Sequence, residues 1–252
     1  MKMSIKELQE IETDILKCVV KICEDNGITY YMQAGSVLGA VRHKGSIPWD
    51  YDVDIIVPSS EIDRFVEIVS KELPDRYYVD YYTINSKSLR EFPRIGLKGF
   101  STKGLHLDVF ILMGLPDDRE KQLSLIEESF NYRINNRLLR LPLWRNLVKL
   151  RFSSVKLSLF DRTYYSRKFT ELCKRYPYNE AHYVMNPSGK YREKNIFKKE
   201  IYGIGKKTKY CDFEVTIPSE TDYYLKQYYG DYMKFPSSDI IEAEINKTYI
   251  IE

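Results

Sequence analysis

Two aspartates, one residue apart, head an apolar run, Asp52-Val53-Asp54-Ile55-Ile56-Val57. A short β-branched run of this kind reads as a strand. Alternate residues of a strand project from the same face, so the two carboxylates leave it together. Like charges held that close repel, and the repulsion favours protonation or a bound cation. Mg²⁺ suits such a pair, because it takes one or two carboxylates and completes its shell with water and substrate phosphate oxygens. A fold containing this strand therefore has to turn its acidic face toward a cleft.

The residues before the pair add to this. Tyr31-Met32-Gln33-Ala34-Gly35-Ser36-Val37-Leu38-Gly39-Ala40-Val41-Arg42 reads as strand, glycine turn and helix start. Gly35 permits a sharp exit from the strand. Ser36 then falls at a helix N-terminus, where unpaired N–H groups and the helix dipole favour phosphate. Serine is also simply a good N-cap. Arg42, His43 and Lys44 follow as a cationic loop. Arg42 suits a bidentate grip on phosphate, and the alternative is a solvated turn.

A third acid lies in Leu105-His106-Leu107-Asp108-Val109-Phe110-Ile111. An acid inside an apolar strand is costly unless it is paired or bound to metal. If the two acidic strands are neighbours, Asp52, Asp54 and Asp108 converge and can hold Mg²⁺ or Mn²⁺ against a donor's phosphates. The competing reading makes Asp108 a strand-end residue paired with a lysine or arginine. His106 shares its face, as a partner of Asp108 or as a satisfied core histidine.

Apolar spacing predicts a helix over 4–24, with Ser4 and Glu7 as a capping box. Strands are expected at 28–34, 52–57, 77–84, 93–98, 105–112 and 213–217. Further helices are expected at 36–42, 60–73, 119–140, 160–175 and 220–229. Strands first and helices later indicate an α+β fold. The division expected is a catalytic core over 1–116 and a mostly helical lobe over 117–252, whose last strand and helix complete the cleft.

The net charge of +3 gives no case for nucleic acid. Between Arg133 and Arg175 the charges are nevertheless strongly basic, twelve Lys/Arg against Asp161 and Glu171. That run suits an anionic membrane surface, a diphosphate, or a solvated helix face. Cys18, Cys23, Cys173 and Cys211 lack metal or disulfide spacing and are expected to be reduced. No secretory signal or membrane-spanning run is visible. The expected location is the cytoplasm, with peripheral contact at the inner face of the plasma membrane as an option. The 22 tyrosines are expected at cleft walls and half-buried surfaces.

The run from Ala34 through Asp54, with Gly35-Ser36, Arg42-His43-Lys44-Gly45, Pro48-Trp49-Asp50 and Asp52-Val53-Asp54, closely resembles the LicD family of the nucleotidyltransferase (polymerase-β-like) superfamily. Phe213-Glu214 and Tyr228-Tyr229-Gly230-Asp231 resemble the family's distal blocks, with Val215 where glycine is usual. Tyr51 stands where members commonly carry a further aspartate. The resemblance implies a nucleotidyltransferase-type mixed sheet and a Mg²⁺-dependent phosphotransferase, with Gly35, Ser36, Asp52, Asp54 and Asp108 carrying the superfamily pattern. It implies a CDP-linked donor, a transferred phosphocholine or alditol phosphate, and an acceptor hydroxyl on a cell-surface glycan or lipid-linked sugar. Two rivals are a nucleotidyltransferase that adds NMP from NTP, and a non-catalytic membrane- or glycan-binding protein.

Overall fold

The computed structural model describes residues 2–102, 104–139 and 161–250. Strand β1 (Lys2–Ser4) leads into helix α1 (Ile5–Asp25), and both halves of the predicted capping box form. The Ser4 hydroxyl accepts from the Glu7 N–H at 3.3 Å, and Glu7 Oε2 accepts from the Ser4 N–H at 2.7 Å. One stripe of α1, including Leu8, Ile15, Leu16 and Val19, is fully buried.

Strand β2 is only Tyr31–Met32, shorter than the seven residues expected. Gln33 already turns away, its N–H still donating to the Asp54 carbonyl at 2.9 Å. Then come α2 (Gly35–Arg42), β3 (Val53–Pro58), α3 (Ile62–Glu72), β4 (Tyr77–Asp80), β5 (Arg94–Leu97) and β6 (Leu107–Leu115). They build a mixed sheet in the order β2-β3-β6-β5-β4. Only β3 and β6 run parallel in that order. Strand β3 buries Val53, Ile55, Ile56 and Val57, as expected of a strand covered on both faces. Strand β6 alternates buried and half-open residues over its first four positions and is buried beyond them.

Helices α4 (Arg119–Leu139) and α5 (Tyr164–Cys173) follow, then strands β7 (Tyr183–Met185) and β8 (Ile196–Lys198). The sequence pattern did not reveal β7 or β8. Strand β7 pairs with the C-terminal part of β6, Met113 opposite Met185, and β8 pairs with β7. Strands from both sides of residue 116 thus share one sheet. One contiguous apolar core likewise joins Ile55 and Val109 to Phe169, Val184 and Tyr224. Short helix α6 (Lys199–Tyr202), hairpin β9 (Lys206–Tyr210) and β10 (Phe213–Ile217), and helices α7 (Thr221–Tyr229) and α8 (Ser238–Ile245) come next. Strand β11 (Thr248–Ile250) closes the chain by pairing with β1.

In the basic run, Arg145, Lys149, Arg151 and Lys156 lie outside the described residues. Nearby cations are paired: Arg167 with Asp161, Lys168 with Glu171, Lys174 with Asp63 and Arg175 with Glu128. The four cysteines are free thiols, as expected. Among the described residues no helix is long and apolar enough to cross a membrane.

Candidate active site

The parallel ladder between β3 and β6 sets Asp54 opposite Asp108. On the other side of β6, the antiparallel ladder sets Arg94 opposite the same Asp108. A row of acid, acid and guanidinium therefore crosses three strands. Arg94 Nε stands 2.6 Å from Asp108 Oδ1, and His106 Nε2 is 3.3 Å from that oxygen. Asp108 thus meets an arginine, as one of its two sequence readings expected, and it lies beside Asp54.

A cleft beside them has a volume of about 350 Å³. Asp50, Asp52, Asp54 and Asp108 line it, with Gly35 at the first turn of α2. Asp52 stands open at its mouth, while Asp54 and Asp108 are half-buried. Crowding by protein, then Asp50, pushes the Asp52 carboxyl up to about 6. Burial, then Asp108 and Asp52, raises Asp54 well above the usual carboxylate range. Burial also presses Asp108 upward, but His106 and Arg94 outweigh it and keep this acid low and ionised.

The donor set suits a hard cation. All four lining acids offer carboxylate oxygens, and burial, then the neighbouring acids, raises Asp54, so the ionised form that a cation takes up is costly without one. Among the described residues, no three His, Cys, Asp or Glu side chains are already drawn together as a ligand set. Asp108 is turned toward Arg94 and His106 instead.

Ser36 acts as a brace. Its hydroxyl accepts the Asp54 N–H at 2.8 Å, and its own N–H goes to the Gln33 carbonyl at 2.9 Å. It thereby ties the glycine turn to the acidic strand. Gly35 faces the cleft: a Cβ there would lie 3.7 Å from Asp50 Oδ2 and 3.9 Å from the Tyr229 hydroxyl. Arg42, His43 and Lys44 are not among the residues lining the cleft. Arg42 donates to the Tyr232 carbonyl at 3.0 Å and to His43 Nε2 at 2.9 Å, and its guanidinium lies over Trp49 and Phe235. The Lys44 carbonyl accepts from Cys211 N–H, fixing the loop to the β9–β10 hairpin.

Sequence reasoning missed Glu12. It is fully buried on α1, and its carboxylate accepts the N–H of Val53 at 3.1 Å and of His106 at 3.2 Å. One side chain thus holds the starts of both acidic strands. Burial, then Asp52, raises its carboxyl well above the usual range. The sequence did carry a signal, because Glu12 falls between Leu8 and Ile15 on the apolar stripe.

A further part of the lining was missed too. It comes from residues 186–195 and from α7. A hydrogen-bonded chain joins it to the glycine turn. The Ala34 N–H donates to the Tyr224 hydroxyl, which donates to Gln33 Oε1. Gln33 Nε2 donates to the Tyr228 hydroxyl, which donates to Asn195 Oδ1 at 3.0 Å. Several of the many tyrosines thus serve as buried struts, more enclosed than expected. The only textual hint was the turn-forming cluster Asn186-Pro187-Ser188-Gly189-Lys190.

The family model described as LicD/FKTN/FKRP, nucleotidyltransferase domain, matches residues 27–143. The lipopolysaccharide cholinephosphotransferase LicD of Haemophilus influenzae is 28% identical over 99% of this chain and 99% of that protein. The ribitol 5-phosphate transferase FKRP of Homo sapiens is 54% identical over 37 residues, 15% of this chain and 8% of that protein. Its Mus musculus counterpart matches to the same extent. The chain is thus similar to the LicD family over residues 27–143 and to a cholinephosphotransferase over nearly the whole of both chains.

Proposed function

We propose that this protein is a metal-dependent transferase. It moves a phospho-substituted small group, phosphocholine or an alditol phosphate, from a CDP-linked donor to a sugar hydroxyl of a cell-surface glycan. The observation that carries this reading is the placement of Asp54 beside Asp108 on parallel strands, with Asp52 two residues away and Gly35 across the same cleft. The names of the relatives, one a cholinephosphotransferase acting on lipopolysaccharide and one a ribitol 5-phosphate transferase, support the class of group and acceptor.

Asp52, Asp54 and Asp108 would hold Mg²⁺ or Mn²⁺. When bound, such an ion offsets the crowded carboxylates and stabilises charge on phosphoryl oxygens. Asp108, beside Asp54 in the cleft, is the carboxylate that takes the acceptor hydroxyl's proton as general base; His106 and Arg94 keep it ionised and also lower its basicity. Arg94 and His106 fix the direction of that carboxylate. Glu12 and Ser36 hold the acidic strands in register, so most of the rate gain comes from positioning. Gly35 keeps the cleft clear for the donor beside the first turn of α2.

The test supplies CDP-choline or CDP-alditols with Mg²⁺ and glycan acceptors, and follows CMP release and acceptor mass. A mass gain of phosphocholine or alditol phosphate is expected. A gain of a nucleoside monophosphate from NTP replaces this reading with nucleotidyl transfer. The absence of turnover with either donor type leaves a non-catalytic binding protein.

A further inference from the structure

Part of the cleft lining is built from a segment outside the matched family domain, and it holds two buried hydrogen-bond donors without a partner and one lysine. Ser188 and Asn195 are 6% and 1% exposed, and both line the cleft. The Ser188 hydroxyl and Asn195 Nδ2 are buried without a hydrogen-bond partner. Buried polar groups are nearly always satisfied, so two orphans in one cleft lining point to a ligand.

The strut chain fixes which end of the Asn195 amide faces the cleft. Tyr228's hydroxyl accepts from Gln33 Nε2, so its own proton goes to Asn195 Oδ1. The NH₂ group is left as a donor without a partner, packed beside Gly189 in the cleft lining. The turn that presents Ser188 is equally determined. Asn186 Oδ1 accepts the Ser188 N–H at 2.9 Å, and the Asn186 carbonyl accepts the Gly189 N–H at 3.2 Å. Gly189 packs directly on the Asn195 amide, where a Cβ would meet Oδ1 at 2.5 Å.

Lys190 supplies the charge. It is the one lysine or arginine among the residues lining this cleft. Its Nζ lies 5.1 Å from the centroid of the Tyr191 ring. Its charge is felt by Asp50, yet it forms no ion pair among the described residues. An exposed ammonium that lines the same cleft as a hydroxyl donor and an amide donor suits an anion, and phosphate oxygens are its natural acceptors. The acids of the same cleft would repel such a ligand unless cations stood beside it.

We propose that Ser188, Lys190 and Asn195 form a phosphate-binding subsite that grips one phosphate of a pyrophosphate-containing ligand in the cleft that the acids also line. This rests on the transferase reading given above, and it assigns the donor's second anchoring point to residues 188–195.

Calorimetric titration with inorganic pyrophosphate, with and without Mg²⁺, tests it on the folded full chain. Lys190→Ala should weaken binding about tenfold or more, the scale of a charge-assisted hydrogen bond. Lys190→Arg should recover most of it. Asn195→Asp keeps the acceptor for Tyr228 but replaces the NH₂ with an oxygen, and should weaken binding at least as much. Lys190 is exposed, so its variants should melt like the parent, which separates lost binding from lost fold. Unchanged affinity in both Lys190→Ala and Asn195→Asp overturns the subsite, as does a parent protein that binds no pyrophosphate in either condition. Pyrophosphate binding that needs Lys190 in a protein that turns over no CDP-linked donor upholds the subsite and removes the transferase reading. Normal turnover of a CDP-linked donor by Lys190→Ala, with unchanged affinity, does the reverse.

Discussion

Asp54 is the residue where folding and function pull hardest against each other. Burial and two neighbouring acids raise its carboxyl well above the usual range, so the ionised form that a cation needs costs stability at neutral pH. Asp54→Asn keeps the shape and removes that charge. Turnover should fall by about 10²-fold or more, the scale of losing one preorganised electrostatic contact, while the metal-free melting temperature should rise. Parental activity in this variant would remove the acid from the site. Ser36→Ala works differently. It strips the acceptor from the Asp54 N–H, and should cost about 1–3 kcal/mol of stability with a smaller loss of turnover. Denaturant titration of the two variants distinguishes a working acid from a structural brace, since their stability changes have opposite signs.

Among the elements, what was legible in the sequence was what strong periodicity writes there. Helix α1, its capping box, strands β3 and β6 and helix α7 follow from repeating apolar positions, and the acidic pair follows from strand alternation. Strands β7 and β8 are three residues each, too short for any period to register. They add to the sheet only because β6 continues past the acids to Leu115 and offers them an edge. The wall carrying Ser188, Lys190 and Asn195 was hidden for the same reason. Arg42 read as a phosphate grip by its place in the sequence; it lies outside the cleft lining and packs on Trp49 and on Phe235, nearly two hundred residues away in the chain. Glu12 was readable as a carboxylate on an apolar helix stripe, and it joins α1 to both acidic strands. Glu12→Leu would fit that stripe but would leave the N–H groups of Val53 and His106 without acceptors. Those two losses should cost about 2–5 kcal/mol. A variant melting within a degree of the parent would show that α1 does not hold the strand starts.

Across the whole molecule, the acids of the cleft act as one electrostatic unit set into a shared core, and pH should reveal it. The Asp52 carboxyl sits at about 6 against 3.8 for an ordinary aspartate, and Asp54 is raised in the same direction. An acid with a raised value in the folded state holds its proton more tightly there than in the unfolded chain. Between those two values the folded protein binds more protons, so stability falls as pH rises. Asp108 is lowered, so its contribution is lost only as pH drops below the ordinary carboxylate range, outside that window. Without metal, the melting temperature should therefore decline from about pH 4 through about pH 6, the window set by Asp52. A divalent cation that binds the ionised carboxylates stabilises the folded state by mass action. Its effect should be small near pH 5 and grow toward pH 8, as the acids lose their protons. Melting curves with and without Mg²⁺ at both ends of that range, for the parent and for Asp52→Asn combined with Asp54→Asn, provide the check. The double variant should lose the Mg²⁺ increment and keep only the part of the metal-free decline that Glu12 and Asp50, also raised, contribute. An increment that survives in it, or that does not change with pH, would mean that the cation binds somewhere other than between β3 and β6.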